Sequence, residues 1–252
     1  MRKVIARRAL LEFRRGDICN LGFGISQQIG AISVEEQVAD QLTLTVEQGV
    51  FGGVPAFGPD GGAGVNFQAL VDQPSMFDFY DGGGLDVASL SFAQVDADGN
   101  VNVHAFDDRL RGPGGFPNIS VATRRLCFVG TFTTGKADVG VESGRLVIRR
   151  EGTFPKFVPR VREVSFNGRL AKERGQEVHY ITERAVFDLR ADGPALIEVA
   201  EGIDVRRDVL SQMGFAPKVA EPLRTMDKRL FGAEPMGVSG EFSAAPIGRE
   251  RR

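Results

Sequence analysis

The chain of 252 residues has no tryptophan, two tyrosines, two histidines and two cysteines. Each scarcity removes a class of chemistry. His104 and His179 stand alone, with no Cys/His run at ligand spacing, which argues against a histidine metal centre and leaves both as structural residues. Cys19 and Cys127 form no CxxC pair and lie far apart, so they read as reduced, mostly buried thiols and not as a disulfide framework. With tyrosine and tryptophan so rare, the 19 phenylalanines read as core and not as stacking platforms for bases. No apolar run approaches the ~18 to 20 residues that span a bilayer. The N-terminal MRKVIARRALLEFRRGD is interrupted by arginines and lacks the apolar core of a signal peptide. A formal net charge of -2 gives no global attraction to nucleic acid or membrane. The expected location is the cytoplasm.

What is abundant is glycine, at 32 residues, clustered in short runs between apolar segments. That pattern indicates tight turns and places where backbone approaches a ligand closely. Residues 3–14 place Val4, Ile5, Ala9, Leu10 and Phe13 on one helical face with the arginines elsewhere, an amphipathic helix ended by Gly16 and Asp17. Ile18 to Leu21 reads as a buried strand, and Ser26 as the cap of a helix running through Ile29 and Val34 toward Ala39. Leu42 to Val46 is a clear strand. An apolar run from Leu85 to Val95, a turn at 96–100, and strands at 102–106 and 126–132 follow. Beyond these lie a hairpin from Val139 to Glu151 and an alternating stretch from Lys156 to Phe166. Strands are expected at 178–182, 185–189 and 195–200, then a short helix over 208–213. The pattern predicts an α/β fold: an open, mainly parallel sheet with flanking helices plus a strand-rich C-terminal layer. It is taken as one domain over residues 1–242, with 243–252 as a disordered tail.

Ligands in such folds gather at the carboxyl ends of strands. Glu47 follows the strand LTLTV and precedes a Gly-rich turn, so it is either a solvated loop carboxylate or a group placed for chemistry. Gly22-Phe23-Gly24 sits between strand and helix, but Gln27 stands where GxGxxG needs its third glycine, so the dinucleotide fingerprint fails. A plain tight turn and an anion-facing backbone remain open there. Neither GxxxxGK[ST] nor GxSxG occurs.

Specific strings then resemble one family. Thr45-Val46-Glu47-Gln48-Gly49 followed by Gly52-Gly53-Val54-Pro55-Ala56 is similar to the catalytic glutamate segment of family I coenzyme A transferases of the acetate or propionate type. Asp78 to Asp86 (DFYDGGGLD) resembles their next loop. Gln94-Val95-Asp96 with Gly99 to Asn102, Gly112 to Phe116, and Tyr180 to Phe187 resemble later signatures in family order. The resemblance runs from Arg2 to about Phe231 and corresponds to the C-terminal, catalytic half of single-chain relatives. Gln48, where relatives often carry Ser or Asn, and Phe51, often smaller, depart from the pattern.

The resemblance implies transfer of CoA from a short-chain acyl-CoA to a free carboxylic acid, with Glu47 as nucleophile and a glutamyl-CoA thioester as intermediate. It implies no cofactor, since CoA is a substrate, and neither ATP nor metal. It places backbone oxyanion donors at Phe23, Gly24, Gly114 and Gly115. It places substrate or CoA contacts at Gln48, Gly49, Gly52, Gly53, Gly83 and Gly84. Asp81, Asp86 and Asp96 read as structural. Arg109 and Arg111 read either as solvated loop residues or as contacts to CoA phosphates. A separate α subunit in an αβ or α2β2 assembly is expected. A hydrolase on the same scaffold and a non-catalytic acyl-CoA-binding subunit are the rival readings.

Overall fold

The computed structural model describes residues 1–56, 58–106 and 109–244. Its organising element is a mixed sheet of ten strands. In chain order these are β1 (Ile18–Leu21), β2 (Thr43–Val46), β3 (Val50–Phe51), β4 (Ala69–Leu70), β5 (Val87–Ser91), β6 (Arg125–Val129), β7 (Glu177–Ile181), β8 (Ala185–Arg190), β9 (Gly193–Val199) and β10 (Lys218–Thr225). Across the sheet the order is β10-β9-β8-β7-β6-β5-β1-β2-β3-β4. The central five, β7, β6, β5, β1 and β2, are parallel. Both flanks turn antiparallel through β8, β9, β3 and β4, and β10 runs parallel to β9.

The central strands are buried along most of their length because both faces are covered. In β6, Cys127 and Val129 point into one core while Leu126 and Phe128 point into the other. Helices α1 (Arg2–Leu10) and α2 (Gln28–Glu35) cover the first face. Helices α3 (Gln73–Asp81), α4 (Phe116–Ala122) and α5 (Gly168–Glu173) cover the second. There Phe128 stacks between Phe116, at 5.6 Å, and Tyr180, at 5.7 Å.

Several expectations are corrected. Helix α1 stops at Leu10, and two of its arginines face inward: Arg7 is fully buried and Arg8 nearly so. Arg7 donates to the carbonyls of Gly232 and Glu234, both at 2.7 Å, and to Glu35 at 3.0 Å. Arg8 donates to Glu198 at 2.7 Å. Those partners are remote in sequence, so the arginines look solvent-facing until the chain folds over them. Ser26 caps nothing; it is buried and its hydroxyl accepts from Ser89 at 3.0 Å. As expected of a mixed sheet, the C-terminal strands β7 to β10 extend the same sheet, while the pairs Thr133–Thr134 with Phe154–Pro155 and Asp138–Glu142 with Arg145–Arg150 lie outside it. Lys156 to Phe166 is largely irregular, and the helix expected at 208–213 is a π-turn over Val205–Val209 and a 3-10 turn over Leu210–Gln212. Of the last ten residues, Ser243 and Ala244 belong to α6 (Ser239–Ala244); residues 245–252 lie outside the described ones.

Candidate active site

Parallel strands deliver their following residues to one edge of the sheet. Here β1 delivers Gly22 and Phe23, β2 delivers Glu47 and Gln48, and β5 ends on Ser91. The loop Pro113-Gly114-Gly115 before α4 closes the space over them. The result is a cleft of about 190 Å³, floored by Asn20, Leu21 and Leu90 and also lined by Gln27 and Gly62.

Glu47 is the one ionisable side chain among the residues lining this cleft. It is half-buried, and burial alone pushes its carboxyl above the ordinary carboxylate pKa. No donor and no cation among the described residues compensates it. A carboxylate of this kind is under-solvated and retains its lone pairs for an incoming electrophile.

The loop glycines differ in what they do. Gly115 has ordinary helical dihedrals (φ -75°), yet a Cβ there would stand 2.4 Å from Glu47 Oε2 and 2.8 Å from Phe77 Cζ. Glycine at 115 therefore leaves room for the carboxylate. The backbone N–H groups of Phe23, Gly114 and Gly115 find no acceptor among the described residues. Gly24 does not line the cleft, and its N–H donates to Gln27 Oε1 at 3.3 Å within its own turn.

The remaining glycines in the candidate set lie outside the cleft lining and have turn roles. A Cβ at Gly49 (φ +114°) would stand 2.0 Å from the Val71 carbonyl oxygen, and one at Gly53 2.2 Å from that of Val65. Gly52 packs against the Gln68 side chain. Gly83 and Gly84 end α3 in a Schellman arrangement, with Gly84 N–H donating to Phe79 O at 2.9 Å and Gly83 N–H to Tyr80 O at 3.0 Å. The string DFYDGGG is thus the end of a helix that Asp72 and Pro74 begin. Asp81 accepts from Asn118, Asp86 from the Ile18 N–H, and Asp96 clasps the 96–100 turn through Asp98 and Asn100. Arg111 donates its N–H to His104 O at 2.7 Å, and the Arg109 side chain lies outside the described residues. His104 Nδ1 pairs with Ser165 Oγ at 2.7 Å, and His179 lies 3.5 Å from Glu12. Both thiols are free and buried.

The sequence reading missed Asn20, Gln27, Ser91 and the residue beneath them, Tyr80. Tyr80 is 1% exposed. Burial, with Glu47's charge as a smaller cause, pushes its phenol up to about 12. Tyr80 lies within the string DFYDGGGLD, but nothing in the sequence singles it out or links it to Asn20; only the packing of α3 under β1 and β2 brings them together.

No profile of a known protein family matches the chain. Individual relatives do. Acetate CoA-transferase YdiF of Escherichia coli K12 is 48% identical over 236 residues, 94% of this chain and 44% of the relative. The solved thioester complex with CoA of the acyl-CoA transferase YdiF from E. coli O157:H7 superposes with a TM-score of 0.89 at 47% identity, covering 94% of this chain and 45% of that one. This chain belongs to the family I CoA-transferases. Caffeate CoA-transferase of Acetobacterium woodii is 46% identical over 235 residues, 91% of this chain and 45% of the relative. One subunit of the 3-oxoadipate CoA-transferase of Pseudomonas knackmussii is 29% identical over 132 residues, 48% of this chain and 50% of that subunit. The chain thus spans about half the length of the curated CoA-transferases it matches. Among its described residues no helix is long and apolar enough to cross a membrane, and no His/Cys/Asp/Glu group could hold a metal.

Proposed function

We propose that this chain is the catalytic half of an enzyme that moves CoA from a short-chain acyl-CoA to a free carboxylic acid. The observation carrying this reading is Glu47: an uncompensated, half-buried carboxylate, the one ionisable group lining a cleft walled by glycine backbone. Glu47 attacks the acyl-CoA carbonyl and expels the CoA thiolate, forming an acyl-glutamyl anhydride. The thiolate attacks the glutamyl carbonyl, releasing the first acid and leaving CoA on Glu47 as a thioester. The acceptor carboxylate reverses the two steps.

Each tetrahedral intermediate carries an oxyanion. The unpaired N–H groups of Phe23, Gly114 and Gly115 are its donors in this reading, and loss of one such donor typically costs ~3–4 kcal/mol. Exclusion of water from the half-buried site limits hydrolysis of the thioester. CoA is a substrate, and the chemistry calls for no bound cofactor. The compartment is the cytoplasm, whose reducing poise suits two free thiols.

The groups that bind the body of CoA come in part from a second polypeptide half of similar fold, giving an αβ or α2β2 assembly. The half-length match to the relatives, and the naming of the 3-oxoadipate relative as one subunit of its enzyme, support this. The test is to incubate the assembled enzyme with acyl-CoA and no acceptor, treat it with borohydride and map the peptides. Reduction at Glu47 with loss of activity is expected. An adduct on another residue, or an active Glu47→Ala enzyme, refutes the assignment.

A further inference from the structure

Beneath the cleft runs a hydrogen-bonded chain whose direction can be deduced. Thr45 Oγ1 donates its proton to the Cys19 carbonyl at 2.9 Å. Its contact with Tyr80 Oη, also 2.9 Å, must then be donated by the phenol. With that proton committed, Tyr80 Oη serves Asn20 as an acceptor, and Asn20 Nδ2 donates to it at 3.1 Å. The orientation of the Asn20 amide, which atom positions alone leave ambiguous, is fixed by this sequence of donors. Asn20 is 2% exposed and lines the cleft, and its Oδ1 is buried with no hydrogen-bond partner. Gln48 Oε1, in the same lining, is likewise buried without a partner. Buried acceptors are satisfied in the great majority of cases, so an orphan in a cleft marks a missing donor.

We propose that Tyr80 is a positioning residue that locks Asn20 with its carbonyl oxygen toward the cleft, where it accepts a hydrogen bond from an N–H or O–H carried by the thioester substrate. The inference rests on the transferase reading above and adds a determinant of substrate choice to it. Glu47, whose ionised oxygens accept only, cannot supply the donor, nor can a plain acyl chain. Two sources share the required chemistry: a hydroxyl on the acyl group, or the amide N–H of the CoA arm nearest the sulfur. A site built around such an acceptor discriminates strongly against substrates that leave it unpaired.

Two matched pairs of donors separate the sources in the assembled enzyme: 2-hydroxypropionyl-CoA against propionyl-CoA, and S-propionyl-N-acetylcysteamine against its S-pentyl analogue without the amide. The wild type is expected to favour the donor-bearing member of one pair by about 10- to 100-fold in kcat/KM. Asn20→Leu should reduce that ratio to near one. Tyr80→Phe should lower it by about tenfold, because the amide is then free to turn. Thr45→Val should do the same, because the phenol proton becomes available to Asn20 and reverses the amide. A purely structural role for Tyr80 would change total activity or stability and leave the ratio alone. Wild-type indifference to both pairs, or a preference that survives Asn20→Leu or Tyr80→Phe, overturns the proposal while transferase activity stands. A wild-type assembly that turns over none of the four thioesters overturns the transferase reading and this inference with it.

Discussion

Substitution of Gly115 by alanine separates fold from chemistry more cleanly than removal of the nucleophile. The backbone at 115 is helical, so alanine is allowed there. Its Cβ would stand 2.4 Å from Glu47 Oε2, whereas ordinary contact begins at 3.4 Å, so the oxygen must retreat by about 1 Å. Glu47 can swing without moving backbone, and Phe77 Cζ at 2.8 Å must also give way. Overpacking of this kind destabilises, while the loss of glycine's freedom in the unfolded chain stabilises by ~0.4–1 kcal/mol, so net stability should change by only about 1 kcal/mol. Misplacing a reacting atom by about 1 Å costs ~100-fold, or ~2.7 kcal/mol of transition-state stabilisation. The assay is kcat/KM for acyl transfer beside a urea unfolding curve on the same sample. Gly49→Ala is the control: φ is +114° and the Val71 carbonyl oxygen would lie 2.0 Å from the new Cβ, so this variant should lose stability first. A Gly115→Ala enzyme with wild-type kcat/KM would refute the claim that this glycine makes room for the carboxylate. So would an activity loss no greater than its unfolded fraction explains.

Glu47→Gln should abolish turnover and raise thermal stability at neutral pH. Burial raises the folded carboxyl's pKa, so ionisation opposes folding, and the difference in Tm from wild type should shrink as pH falls below the carboxylate range. For the same reason the acid limb of kcat/KM should lie above the usual carboxylate pKa, which a pH series at fixed ionic strength measures. Glu47→Asp should lose about 100-fold or more in kcat, since one methylene withdraws the attacking oxygen by about 1 Å. Arg7→Met removes the buried donor to Gly232, Glu234 and Glu35 and should destabilise by on the order of 2–4 kcal/mol in urea, with early proteolysis in the C-terminal segment.

The parts of the fold legible in sequence are those where local pattern and final environment agree. RLCFV at 125–129 and GPALIEV at 193–199 are buried along their whole length, and such runs announce themselves. By contrast, Lys218–Thr225 is exposed along most of its length and contains Pro222, so nothing marks it as a strand until β9 offers an edge. Arg7 and Arg8 look like the wet face of a helix because the carbonyls and carboxylate that receive them lie about 190 to 230 residues away. The site is legible only in part for a similar reason. Glu47, Gln48, Phe23, Gly114 and Gly115 meet in one cleft, whereas Gly49, Gly52, Gly53, Gly83 and Gly84 shape the turns around it. One letter serves both tasks, and only φ and the nearest neighbour tell them apart. The pairing of Asn20 with Tyr80 leaves no trace in the sequence, since it depends on α3 lying beneath the sheet.

The burial of Arg7 also bears on how the chain acquires its structure. Helix α1 is nine residues long, too short to persist alone in water, and its one fully buried guanidinium takes carbonyl partners at Gly232 and Glu234. Helix α1 therefore cannot reach its final state until a segment 225 to 227 residues further along has been made. Such a pairing has a very high contact order, which slows the closing step. During synthesis the half-formed sheet would wait with one face uncovered, a window in which a chaperone would compete with self-association.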